Sequence, residues 1–330
     1  HLNSKINKKI NNFNKMNRIM KINKFKFPFI AIAIMVTIIS CSDSFLDVEP
    51  KGTFLSSTYY ANQAEAFTGL VAAYDFMRKN SGGFDNMVTM LNAGSDDHYA
   101  GGGGPTDGAG IQGFSNYTIN ANNMPNSFWT DFFRGIFRAN IMLLKLPDVP
   151  MDENLKARYT AECKALRAYY YFNLVRMFKN VPLLTEPVNP ADMYNVLQAN
   201  PEDVWVRIET DLLEAIADLP GTIDASELGR FTKGSAQAVL GKVYLSQHKN
   251  SLAAAQFAEV NGTPGSTSQY GYSLLNNFND LWMIDNKFNT ESILEITHTN
   301  ESLAGWGNAY NDDSEGNIVN TMVGPRGFVD

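Results

Sequence analysis

Cysteine is nearly missing from this 330-residue chain: only Cys41 and Cys163 occur, so at most one disulfide is available, and none if either thiol has another use. Histidine is scarce as well, at four. There is no Cys/His array with metal-ligand spacing, no H-E-x-x-H, no Walker loop and no nucleophile elbow. Basic charge is missing where a nucleic-acid binder would need it. The formal charge is −7, but 8 of the 27 basic residues lie in the first 40 positions with no acid among them. Residues 41–330 are left with 19 basic against 34 acidic side chains, a formal −15, the wrong sign for neutralising a phosphate backbone. The uncharged stretch Phe27 to Ile39 has 13 residues, fewer than the roughly 17 to 25 of a membrane-spanning helix.

That stretch fits a signal-peptide core instead. From Met16 the chain reads as a basic region (Arg18, Lys21, Lys24, Lys26), the apolar run, then Ile38-Ile39-Ser40-Cys41. Two aliphatics and a small residue before cysteine resemble the lipobox of bacterial lipoproteins, in which the cysteine is acylated. A plain secretory signal with a chance cysteine is the alternative. Residue 1 is His, and the Asn- and Lys-rich stretch before Met16 has the character of upstream read-through. Residues 1–40 are therefore expected to be a read-through leader and lipoprotein signal peptide, with Cys41 as the membrane anchor. Cys163 is then expected to be a buried free thiol in a helix.

Helical periodicity dominates the remainder. From Asp152 to Lys179, Leu155, Tyr159, Cys163, Leu166, Tyr170, Leu174 and Met177 recur at steps of three and four, which predicts a long helix. Asn180 is expected to take the left-handed conformation at its end, and Pro182 prevents continuation. Further helices are predicted over Ser57 to Arg78, from about Phe128 to Pro147, over Val204 to Leu219, over Lys233 to Gln247 and over Ser251 to Val260. Ser81 to Pro125, Leu183 to Asn200 and Asn261 to Asp330 lack the helical period, and Ser292 to Thr297 alternates enough for one strand. The expected class is mainly α: stacked, tetratricopeptide-like helix pairs forming an αα superhelix, with long irregular loops and little β. Loops this long are usually functional or disordered.

A resemblance becomes specific in the long helix. Ala165-Leu-Arg-Ala-Tyr-Tyr-Tyr-Phe-Asn-Leu-Val175, followed by Val181-Pro182-Leu183, is similar to the signature of the SusD/RagB family. In the family's order stand also Cys41-Ser-Asp-Ser-Phe-Leu-Asp47 with Pro50, Arg138-Ala139-Asn140, Asp211-Leu-Leu-Glu-Ala215 with Leu219-Pro220, Gly229-Arg-Phe-Thr-Lys233, Val243-Tyr-Leu245 and Glu291-Ser-Ile-Leu-Glu-Ile296. The likeness covers about residues 40–330. It implies a SusD-like helical-repeat domain over 41–330, incomplete at its C-terminus. It also implies a surface lipoprotein of the cell outer membrane, facing the exterior, that binds oligosaccharide and passes it to a SusC-like TonB-dependent transporter. The family has Gly where Lys179-Asn180 stands here. Arg167 and the tyrosine row are read as core, with Arg167 paired to a carboxylate, and Asn140 as a satisfied polar group at a helix interface.

No catalytic residue, metal ligand or cofactor is expected. Gly108-Ala-Gly-Ile-Gln-Gly113 matches a dinucleotide fingerprint formally, but no strand pattern precedes it, and it is assigned to a flexible loop. Asp96-Asp97-His98 is the densest titratable cluster, yet has no second ligand cluster beside it. Glycan contacts need aromatic faces flanked by hydrogen-bonding side chains. Loop candidates are Asp96, Asp97 and Tyr99, and Trp306, Asn308 and Tyr310; Trp129, Trp205 and Trp282 are expected in the core. The alternative function is a helical-repeat scaffold for peptide or protein cargo.

Overall fold

The computed structural model describes residues 11–12, 60–104, 106–299 and 316–319. The chain divides into a unit over residues 1–59 and one over 60–330. Of the first, Asn11 and Asn12 alone are described, as exposed helical residues, and Cys41 lies outside the described residues.

The second unit is helical: α1 (Gln63–Tyr74), α2 (Met87–Ala93), α3 (Ala109–Ser115), α4 (Asn126–Lys145), α5 (Glu153–Phe178), α6 (Pro201–Asp218), α7 (Lys233–Ser246) and α8 (Asn250–Asn261). Local chemistry sets the boundaries. Asn62, Asn86, Asp152, Asn200 and Thr232 each accept a first-turn amide and so satisfy a donor that has no partner within the helix. At α7 the cap is reciprocal, the Thr232 hydroxyl taking the Ser235 amide and the Ser235 hydroxyl taking the Thr232 amide. Pro201 opens α6, where its missing N–H costs nothing.

Along the chain α4, α5, α6, α7 and α8 each pack on the next, and α1 packs on α4 and α5. The predicted stripes are what they bury: Phe128, Phe132 and Ile136 from α4, Leu166, Tyr170 and Leu174 from α5, Val204, Ile208 and Leu212 from α6, and Leu240 and Val243 from α7. Close approach depends on glycine. A β-carbon at Gly135 on α4 would come within 2.4 Å of the Tyr170 ring, and one at Gly241 on α7 within 2.5 Å of Phe257 on α8.

Four expectations require correction. Ser292–Thr297 is not a strand: among the described residues its backbone forms no ladder, and Leu294 and Ile296 pack on the helical core instead. Ser81–Pro125 is not without helix, because α2 and α3 lie within it. Both have seven residues, too few for two full turns of periodicity. Gly108 is the left-handed N-cap of α3 (φ 68°), so the glycine motif opens a helix rather than lying in a flexible loop. No strand precedes it among the described residues, and the dinucleotide fingerprint fails on that count. The positive φ that ends α5 falls on Lys179 (62°), not Asn180. With ψ at −71° and the Asn180 amide donating to the Phe178 carbonyl at 2.7 Å, Lys179 is the centre of a strained γ-turn.

Cys163 is buried and free, as expected, and burial pushes its thiol pKa up. Burial likewise raises the pKa of Tyr74, Tyr170 and Tyr171. In the unfolded chain these groups ionise near their ordinary values, about 8.5 for Cys and 10 for Tyr. The unfolded state therefore loses protons first. The stability these groups contribute is whole below about pH 8 and is lost as pH rises through their folded pKa values. Thermal scans should give a constant melting temperature from about pH 7 to about pH 8.5 and a steep decline above about pH 10. A flat melting temperature up to pH 11 would contradict this account.

Candidate functional site

The sequence signature on α5 is engaged in holding helices together. The Arg167 guanidinium reaches both oxygens of Asp211 on α6 (2.8 and 2.7 Å) and donates to the Asn140 side-chain oxygen on α4 (2.8 Å) and the Thr185 carbonyl (2.9 Å). All three side chains are buried, with Asp211 at 0% exposure. Asn140 gives its own amide to the Leu184 carbonyl. The Tyr171 hydroxyl accepts the Leu184 amide at 2.6 Å, and Tyr170 bonds the Ala73 carbonyl. The expectations of a carboxylate partner for Arg167 and a satisfied Asn140 hold.

A second buried ion group lies where α1, α5 and the 225–231 segment meet. Glu162, fully buried, accepts from Tyr74 (2.7 Å), Arg158 (3.1 Å) and twice from Arg230 (3.0 and 2.6 Å). Glu227 shares both arginines, and the Tyr74 hydroxyl accepts the Phe231 amide at 2.8 Å. Tyr74, Glu227 and Arg230 of this second network also line a cleft of about 480 Å³. Among the described residues, no group of three or more His, Cys, Asp or Glu side chains is placed to hold a metal ion.

Exposed chemistry of the sought type lies in the segment from Gly94 to Thr118. Asp96, Asp97, His98 and Tyr99 form one exposed stretch, with Tyr99 74% accessible. The stretch is held at its base. The Ala100 amide donates to the Ser115 hydroxyl (2.9 Å), Gln112 donates to the Gly101 carbonyl (2.8 Å), and the Tyr117 hydroxyl donates to the Gly94 carbonyl (2.8 Å). Tyr117 is itself 76% exposed, and its hydroxyl bonds the main chain at Gly94, just before the stretch that carries Asp96, Asp97, His98 and Tyr99. Exposed tyrosine rings and carboxylates are the side-chain types that meet the apolar faces and the hydroxyls of sugars. Sequence reasoning missed Tyr117, although its setting in Ser115-Asn116-Tyr117-Thr118 meets the same criterion as Tyr99.

The remaining candidates Trp306, Asn308 and Tyr310 lie outside the described residues. Trp129 and Trp205 pack against the core as expected, but Trp282 is 74% exposed and meets the ring of Phe278 edge-on at 5.9 Å. Its apolar neighbours Leu281 and Met283 suggested a core position, but Phe278–Trp282 is a short 3-10 turn with no buried residue.

Residues 44–245 match a family model described as SusD-like, starch-binding associating with outer membrane. The chain belongs to the SusD-like family. A solved structure described as a laminarin binding SusD-like protein is 62% identical, with a TM-score of 0.77 over 81% of this chain and 58% of that one. Surface glycan-binding protein A from Bacteroides thetaiotaomicron, in complex with laminarihexaose, shares the fold at 23% identity and a TM-score of 0.68, over 80% of this chain and 55% of that one. SusD-like protein P25 of Formosa agariphila is 22% identical over 83% of this chain and 52% of its own length. A SusD-like protein of Bacteroides ovatus is 26% identical over 78% of this chain and 47% of its own. The chain thus spans about half the length of the curated relatives it matches. Asn140, Arg167 and Asp211 meet at one point between three helices, which gives them a structural role. The loop bearing Asp96, Asp97 and Tyr99 is separate from them.

Proposed function

We propose that this SusD-like protein is a non-catalytic glycan-binding lipoprotein, anchored through Cys41 to the outer membrane and facing the exterior. It captures oligosaccharide and delivers it to a SusC-like TonB-dependent transporter. Residues 1–40 are its leader and signal peptide and residues 41–330 its helical-repeat domain. The observation that carries the reading is the 62% identity to a laminarin-binding protein of the same fold. That makes a laminarin-type glucan the first ligand to test, and the braced tyrosine loop supports it. The carboxylates of Asp96 and Asp97 suit hydroxyl-rich neutral sugars better than anionic ones. Asp96, Asp97 and Tyr99, with Tyr117, are proposed as one set of contacts, and Trp306, Asn308 and Tyr310 as another.

The test is calorimetric titration with laminarin oligosaccharides within a wider glycan panel. Tyr99→Ala and Trp306→Ala are each expected to weaken binding roughly tenfold and to leave the melting temperature unchanged. Binding to no polysaccharide, with saturable peptide binding instead, would remove the glycan assignment. Palmitate labelling in cells is expected to vanish in Cys41→Ser, and labelling that persists would refute the anchor.

A further inference from the structure

A cleft of about 760 Å³, within the roughly 300–1,000 Å³ range of ligand clefts, opens between α2, α5, α7, α8 and the 291–296 segment. Its walls carry aliphatic side chains, with Met87, Val88 and Leu91 on one side and Val239, Val260 and Ile296 on others, interspersed with polar ones such as Asn92 and Asn261. Two cations line it, and both are exposed: Arg176 from α5 and Lys242 from α7.

Arg176 is held in a fixed pose. Its guanidinium stacks 4.0 Å from the centre of the Phe172 ring, Nε donates to the Phe172 carbonyl at 3.2 Å, and Nη2 donates to the side-chain oxygen of buried Asn173 at 2.7 Å. No carboxylate among the described residues pairs with it, and none pairs with Lys242. The cleft's single acid, Glu291, uses one oxygen to accept the Leu275 amide at 3.0 Å. The surrounding walls remove water from the Arg176 guanidinium and lower its pKa. In an acidic chain, two cations without a direct ion pair against a single carboxylate leave this cleft with an excess of positive charge.

We propose that this cleft docks a segment of a partner polypeptide that carries aliphatic side chains and at least one Asp or Glu. The carboxylate pairs with Arg176 and Lys242, and the aliphatics fill the walls. A neutral sugar is the competing occupant, since Tyr169, Phe257, Asn80, Asn92 and Asn261 also line the cleft, but it would leave the excess positive charge without a counter-ion. An extended or helical segment laid in a groove between helices buries apolar side chains and places one charge on a planar guanidinium.

The test pans a displayed library of random short peptides against the full chain, with the Arg176→Met/Lys242→Met double variant as counter-target. Methionine keeps an apolar stem over Phe172 but leaves the oxygen of buried Asn173 without its donor, so the double variant is expected to melt somewhat below the parent, and panning is run well below its melting temperature. Enriched peptides should combine aliphatics with an acid. The best of them, synthesised, should bind about tenfold more weakly to Arg176→Met, by a similar factor when its acid is replaced by the amide, and more weakly still at high salt. No enrichment over the double variant, enriched peptides lacking an acid, or displacement of the peptide by an oligogalacturonide would each overturn the proposal. Laminarin binding is measured on the same variants and is expected to be unchanged. Its absence in the parent counts against the glycan reading alone and leaves the cleft proposal standing.

Discussion

Replacing Asp211 with Ala is expected to cost about 3–5 kcal/mol, because it strips the bidentate partner from a buried guanidinium and leaves the charge without compensation. Urea unfolding should show the loss as a lower midpoint. The melting temperature should drop by on the order of 10 °C, given 2–4 °C per kcal/mol for a domain of this size. Removing both charges at once with Arg167→Met/Asp211→Leu should be much milder, since an apolar pair of similar volume avoids the stranded charge. The Thr185 carbonyl and the oxygen of buried Asn140 still lose their donor in the double variant, so a residual loss of about 2 kcal/mol is expected. A single variant within 1 kcal/mol of the parent would show that the pair is not coupled to folding.

Glu162→Ala is expected to have the second largest effect, again about 3–5 kcal/mol. One fully buried carboxylate accepts four bonds from three side chains there, and Glu227 shares only the two arginines. The Tyr74 hydroxyl loses its acceptor while still receiving the Phe231 amide. Amide exchange at Phe231 should therefore accelerate more than exchange in the middle of α5. A double-mutant cycle with Tyr74→Phe should return a coupling of about 1–2 kcal/mol, since both changes remove the same bond. Equal exchange at Phe231 in parent and variant would mean that the 225–231 segment is held by other contacts.

The long helices were readable because each repeats its apolar positions over several turns, so α5 departs from its predicted ends by one residue on either side. The two seven-residue helices were not, since so short a segment does not complete the repeat that distinguishes a helix from a loop. Ser292–Thr297 alternates as a strand would, but alternation reports which side chains are buried and not whether a paired backbone lies alongside. Trp282 illustrates the same limit: local apolar company does not establish what, if anything, packs on it. In the candidate site, the residue types were legible at Asp96, Asp97 and Tyr99. The brace from Tyr117 to Gly94 spans 23 residues and leaves no periodic trace in the sequence.

The acceptors in the Arg167 network have an evolutionary consequence. Asn140 and Tyr171 meet the main chain at Leu184, and Arg167 meets it at Thr185. Every residue type offers the same carbonyl oxygen, and every type except proline the same amide. Exchanging the side chains of Leu184 and Thr185 therefore leaves these main-chain bonds in place, whereas a change at Asn140, Arg167 or Asp211 has no such substitute. Selection for new ligands or partners is thus free to rewrite surface positions over a frame fastened by a few polar side chains.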